Sequence, residues 1–291
     1  MIKEALAALG NSARELFRNR GVLLLLALLY ALLLASAYLF FATGVANVWQ
    51  LVLTGVTALA APLFFLLFQA AAADAALPEA TLARVARRAA RDWLKVLLLA
   101  IPVVALGALF VYLLGKLPGW LPRIEAAPAQ LVAGVEAASR PSPLYWQDAL
   151  TSSLWLLLLG FALPLLAAHL WLASAREGLG ATLKRLHRVA GRAFAPKSVL
   201  VYALGLVVFG LTPYFVIYTR TSVSNGSAEL FIFGLRLALA FALTLAGWVV
   251  TLGALARLTP PLAEAPATPA PAPAPPPPPS ESVTVEPQLQ A

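Results

Sequence analysis

Residues Thr81 to Leu114 read TLARVARRAARDWLKVLLLAIPVVALGALFVYLL, and the character of the chain changes inside this stretch. On a helical projection Leu82, Val85, Ala86, Ala89 and Trp93 form one stripe, while Arg84, Arg87, Arg88 and Arg91 form another. From Trp93 to Leu114 the only charge is Lys95, close to the start of the run. About 20 mostly apolar residues are enough for a helix to cross the hydrocarbon core of a bilayer, where every backbone polar group must be paired within the segment. The stretch therefore reads as a basic amphipathic helix leading into a membrane span.

Five further segments have the same length and character: Gly21 to Phe41, Val48 to Ala73, Ser152 to Ala173, Ser198 to Tyr218 and Leu230 to Leu255. The composition agrees. Of the 291 residues 61% are hydrophobic and 12% charged, and the mean hydropathy is +0.83, whereas soluble domains are about 45–50% apolar. The reading is an all-α, polytopic membrane protein with six transmembrane helices. With no cysteine in the chain, thiol chemistry and disulfides are excluded.

A net charge of +8 and a pI near 10.1 would suggest nucleic acid as partner of a soluble protein. Here the membrane orders the charge. Alternate loops carry sixteen and four of the Lys and Arg residues, with Arg236 left inside a span. The richer set runs from Lys3, Arg14, Arg18 and Arg20 through the two basic segments to Arg257, and the poorer set is Lys116, Arg123, Arg140 and Arg220. Cationic loops stay cytoplasmic, so both termini are expected inside, in a bacterial inner membrane, with anionic lipids as partners and no nucleic acid.

The opening stretch recurs. Thr81 to Trp93 aligns without gaps with Thr182 to Phe194, keeping Thr, Leu, three Arg, one Ala and the closing aromatic. Pro62 corresponds to Pro164 after a one-residue shift, and Arg14 with Arg18 repeats the four-residue spacing of Arg87 with Arg91 and of Arg188 with Arg192. Three parallel units are expected, at residues 1–74, 78–175 and 178–258, each a basic interfacial helix followed by a transmembrane hairpin. Pro78 suits the start of the second unit's basic helix. In the other units the expected apolar stripes are Ile2, Leu6, Leu9, Ala13 and Leu16, and Leu179, Leu183, Leu186, Ala190 and Ala193. From residue 259 to 291 alanine and proline predominate, which predicts a disordered cytoplasmic tail of extended polyproline character.

Triplicated units of basic helix plus hairpin, with the Arg-x-x-x-Arg spacing just quoted, resemble bacterial inner-membrane proteins that include the membrane domain fused to some glycerophosphodiester phosphodiesterases. The resemblance covers residues 1 to 258. These residues include no phosphodiesterase domain, so it implies a membrane module and no chemistry.

No catalytic set, cofactor motif or metal-ligand cluster stands out. Candidate contacts to anionic lipid or to a partner are Arg14, Arg18, Arg84, Arg87, Arg88, Arg91, Arg185, Arg188 and Arg192. Arg236 and His169 are candidates for an intramembrane polar site, because burying an ionisable group in a span is costly. Arg236 either lines such a cavity or reaches the outer headgroups. Asn225-Gly226-Ser227 reads as a turn, though it also fits a glycosylation sequon. The chain is expected to organise, assemble or regulate other inner-membrane components through its basic face. Transport or lipid translocation is the alternative, supported by the repeats, Arg236 and the prolines Pro62, Pro102, Pro164 and Pro213 inside spans.

Overall fold

A computed structural model describes residues 1–121, 146–219 and 225–259. Arg123, Arg140, Arg220 and the tail from 260 onward lie outside the described residues. All regular structure among the described residues is helical: α1 Ile2–Arg18, α2 Arg20–Thr43, α3 Val48–Ala75, α4 Leu82–Trp120, α5 Trp146–Glu177, α6 Leu179–Lys184, α7 Leu186–Ala193, α8 Pro196–Tyr218 and α9 Gly226–Leu258. Six of these, α2, α3, α4, α5, α8 and α9, are long and apolar enough to cross a bilayer. The chain is a multi-pass membrane protein by this criterion.

Helix starts follow local chemistry. Asn47 and Gln50 form a reciprocal capping box at α3, each side chain accepting from the other's backbone N–H. Asn225 accepts from the N–H of Ser227 at 3.0 Å and caps α9, so the Asn-Gly-Ser triplet is a helix start. Asn19 accepts from the Val22 N–H and donates to the Ala80 carbonyl at 2.6 Å, tying the α1–α2 junction to the α3–α4 connection. At Gly178 the backbone has φ +83, a conformation that favours glycine, and the chain turns from α5 into α6 there.

Two local expectations need correction, the helix start at Pro78 and an unbroken basic helix over 182–194. Pro78 does not open α4; Thr81 occupies the N-cap position and Leu82 is the first helical residue. The basic segment of α4 is also continuous with the span that follows it, giving one helix of 39 residues. The equivalent segment at 182–194 is instead broken at Arg185 into α6 and α7, which turns the faces of the two pieces relative to each other. Its buried residues are Thr182, Val189 and Ala193, while Leu183 and Leu186 are exposed. On α1 the face against the bundle is Ala5, Ala8, Ser12 and Leu16, and Ile2 and Leu6 are exposed.

Burial is concentrated toward one end of the bundle. The enclosed residues of α3 include the run Phe68 to Asp74, those of α5 are concentrated between Leu165 and Ser174, and those of α9 between Leu245 and Ala256. This is the end that carries Arg84, Arg88, Arg176 and Arg257. Many of the enclosed side chains are small, as in Ala70 to Ala73, Ala167, Ala168, Gly253 and Ala254. Lipid tails are as apolar as leucine, so helix association in a bilayer depends on close van der Waals approach, which small residues permit. Toward the other end each long helix encloses only one or two described residues, for example Ser36 on α2, Thr57 on α3, Pro213 on α8 and Ala240 on α9.

Two spans depart from α geometry. Leu156–Ala162 in α5 and Val207–Leu211 in α8 are π-helical, each just ahead of a proline, Pro164 and Pro213. Pro164 has no N–H to offer the carbonyl of Gly160 four residues earlier. The Tyr202 hydroxyl of α8 donates to that carbonyl at 3.4 Å. Two proline-bearing spans are thereby joined where one of them is irregular.

Candidate functional site

The arginine-rich end brings together residues of α1, α4, α5 and α9 with the α3–α4 connection. A cavity of about 850 Å³ there is lined by Arg84 and Arg88 of α4, Arg176 of α5, Arg257 of α9 and Glu15 of α1, among others. Each cation is held differently. Arg176 donates to the carbonyls of Ala256 and Thr259, taking up backbone acceptors that the last turn of α9 leaves open. Arg257 pairs with Glu15, and Lys197 with Glu4 at 3.0 Å. These two pairs fasten α1 to α9 and to the start of α8. Between them Ser12 packs so closely on Gly253 that a Cβ at that glycine would lie 3.1 Å from the serine side chain.

Arg88 meets Asp74 at 3.4 Å, and Asp74 is buried at the end of α3. Arg84 reaches the carbonyl of Glu79 at 3.5 Å. Arg91 contacts Asp92 at 3.2 Å, and Arg185 lies 3.9 Å from Glu177. Arg14, Arg18, Arg87 and Arg188 are exposed. Arg192 is half-buried and lines a small pocket with His169, Arg176 and Glu177. The structure thus divides the predicted arginines. Arg84 and Arg88 sit in the wall of the cavity and contact their own chain, whereas Arg87 and Arg188 face outward.

The Glu4 carboxyl is exposed, and its hydrogen bond and attraction to Lys197 hold its pKa below the ordinary carboxylate value. That shift favours the charged, paired state of the link between α1 and α8.

His169 and Arg236 do not form one site. The His169 ring is buried, with Nδ1 3.0 Å from the Leu165 carbonyl and Nε2 3.2 Å from the Ser198 hydroxyl, near the start of α8. Arg236 donates to the carbonyl of Thr219, just past the opposite end of α8. His169 therefore cross-links α5 to α8 inside the packed end, and Arg236 closes the α8–α9 side of the other end. Among the described residues no group of three or more His, Cys, Asp or Glu could hold a metal ion.

A second cavity, about 430 Å³, lies within the span region and takes residues from all six long helices, including Tyr30, Phe68, Val103, Ala167, Phe209 and Leu245. No charged side chain lines it. Gln69 and Trp248 form part of its wall, and the Trp248 indole N–H donates to Gln69 Oε1 at 3.0 Å. An edge-on aromatic series, Phe161, Tyr202, Phe209 and Trp248, runs from the π segment of α5 through α8 to α9, with neighbouring ring centroids 5.0, 5.7 and 5.4 Å apart.

The sequence reading missed Gln69, Trp248, Arg176 and Arg257 as site residues. The last two had a signal: each stands in the last turn of a long helix, where a cation complements the open carbonyls. Compared with protein-family models, with curated proteins and with solved structures, the chain finds no match.

Proposed function

We propose that the protein is a non-enzymatic inner-membrane component that organises, assembles or regulates other membrane components through a basic cytoplasmic face. The supporting observation is that residues of α1, α4, α5 and α9 meet in one arginine-lined cavity, beside which Arg87 and Arg188 face outward. In this reading the arginine-rich end is cytoplasmic, the termini lie inside, and the three units are parallel hairpins. The α1 helix fits the interface: one face packs on the bundle, Ile2, Leu6 and Phe17 are exposed on a neighbouring apolar face, and Lys3, Arg14 and Arg18 lie on the polar one. Anionic headgroups or an acidic protein segment match this surface, each nearby Lys or Arg contributing about 1 kcal/mol toward an anionic membrane.

The intramembrane cavity has no charged lining and Arg236 is not part of it, which argues for an organising role over a polar transport route. The test is co-purification from native membranes with Arg87, Arg91, Arg188 and Arg192 changed together, first to Lys and then to Gln. A specific acidic partner requires the guanidinium fork, so the Lys variant should insert normally yet lose it. A generic anionic surface should be retained by Lys and weakened by Gln. Unchanged retention by the Gln variant would remove the proposal.

A further inference from the structure

We propose that the intramembrane cavity is a binding site for one alkyl chain of a membrane lipid. Its wall is mostly apolar side chains from all six long helices, and no charged residue faces it. The few polar groups nearby are mostly committed within the protein. Gln69 Oε1 accepts from Trp248, and the Thr244 hydroxyl donates to the Ala240 carbonyl at 2.9 Å. The indole N–H of Trp171 is unpartnered but enclosed by protein. Such a space offers water too few partners to hold it, and a polar solute too few donors and acceptors.

The size points the same way. Apolar cavities of about 150 Å³ take up benzene, so a volume of about 430 Å³ has room for roughly three times as many carbons. Left empty, it would forfeit the dispersion contacts of its whole lining. The cavity also opens sideways, because Val104 lines it and is 67% exposed, and Phe65 lines it and is 37% exposed. It lies where the tightly packed end of the bundle gives way to the loosely packed end. At that depth the surrounding solvent is lipid hydrocarbon, and an acyl chain is the occupant it supplies.

The wall contains residues that bulk lipid cannot reach, which makes the site testable in the unaltered protein. Ala167 and Leu245 line the cavity at 4% and 9% exposure. Leu99 and Leu252 are fully enclosed but do not line it. The full chain would be reconstituted in phosphatidylethanolamine–phosphatidylglycerol vesicles doped with a phospholipid carrying a mid-chain diazirine, irradiated, and mapped by peptide mass spectrometry. We expect adducts at Ala167 and Leu245 at least tenfold above those at Leu99 and Leu252. Ala100→Phe and Ala167→Phe, which place a ring in the cavity, should reduce the Leu245 adduct several-fold while adducts at lipid-facing Leu235 stay constant. Adducts at the wall no more frequent than at the enclosed controls would overturn the proposal. So would an unchanged Leu245 adduct in monodisperse filled variants. If neither filled variant accumulates, the pattern in the unaltered protein decides alone. The cytoplasmic arginines take no part in this readout.

Discussion

Trp248 and Gln69, 179 residues apart in the chain, meet across the bundle through an indole N–H to amide oxygen bond of 3.0 Å. It ties α9 to α3 beside the apolar cavity, and the same indole stands edge-on to Phe209, so one side chain joins three spans. Trp248→Phe keeps an aromatic ring but leaves the buried Gln69 oxygen without its donor. We expect a loss of about 1–3 kcal/mol. In a double-mutant cycle with Gln69→Leu the coupling should be near 0.6 kcal/mol and no greater than about 1.7 kcal/mol, the range for hydrogen bonds between membrane helices. Thermal unfolding in detergent gives the ranking, and zero coupling would show that the bond contributes only packing.

That pair also shows where the sequence reading stopped. Six spans were legible because length and apolarity are what a bilayer demands, and all six recur with ends shifted by no more than a few residues except at α4 and α5. The arginine contacts were legible only as a group, since periodicity places charges on a face without saying which side chain bends back to a carboxylate. Gln69 was invisible, because a lone amide in an apolar run has no sequence signal until a partner on another helix is known. The π segments were hidden for a similar reason. Pro164 and Pro213 announce an irregularity, but the widened turn lies upstream and depends on neighbours such as Tyr202.

The close approach of α8 to α9 rests on Gly205. A Cβ there would clash with the Thr251 hydroxyl and lie 2.8 Å from its Cγ2. Gly205→Ala should therefore destabilise the protein by about 1–3 kcal/mol, the usual cost of overpacking. Adding Thr251→Ala should recover part of the loss. Gly55→Ala, with nothing within 4 Å of its Cβ, should be neutral or gain up to about 1 kcal/mol from helix propensity. Equal effects at the two glycines would contradict the packing described for α8 and α9.

Orientation is accessible to reporters. Fusions after Ala46, within residues 125–140 and after Ser224 should report the extracytoplasmic side, and fusions at residues 80, 180 and 265 the cytoplasm. One reporter on the wrong side would refute the proposed arrangement, including the cytoplasmic placement of the arginine cavity.

The Glu4–Lys197 pair makes a pH-dependent link. Glu4 has a folded pKa below its ordinary value of 4.5 because Lys197 hydrogen-bonds and attracts its carboxylate. A depressed carboxylate pKa contributes stability that is present above the unfolded value and lost as pH falls through the folded one. The hold of α1 on α8 should thus weaken only below about pH 4.5. A titration following an isotopically labelled Glu4 carboxyl should place its midpoint below 4.5, and Lys197→Ala should move it upward. A midpoint that ignores the lysine substitution would mean that the pair does not persist in the membrane-bound protein.

Arg88 and Arg87 are adjacent in sequence and should behave oppositely. Arg88 is 34% exposed and faces the Asp74 carboxylate, which is itself 5% exposed, whereas Arg87 points outward. Removing Arg88 leaves a charge behind in a place where water compensates poorly, and uncompensated burial is what makes breaking such a pair costly. Partial exposure screens the interaction, so the loss on Arg88→Met should fall short of a fully buried pair, at about 1–3 kcal/mol. The double variant with Asp74→Asn no longer carries the orphaned charge and should regain most of that stability. Arg87→Met removes no internal contact and should change stability by less than about 0.5 kcal/mol, as surface substitutions do. If Arg87 instead serves a partner or an anionic surface, its substitution should reduce co-purification while the thermal midpoint stays put. Parallel thermal and co-purification measurements on Arg87→Met, Arg88→Met and the Asp74→Asn double variant therefore separate an arginine that holds the bundle from one that works outside it. The division fails if Arg87→Met and Arg88→Met lose stability equally.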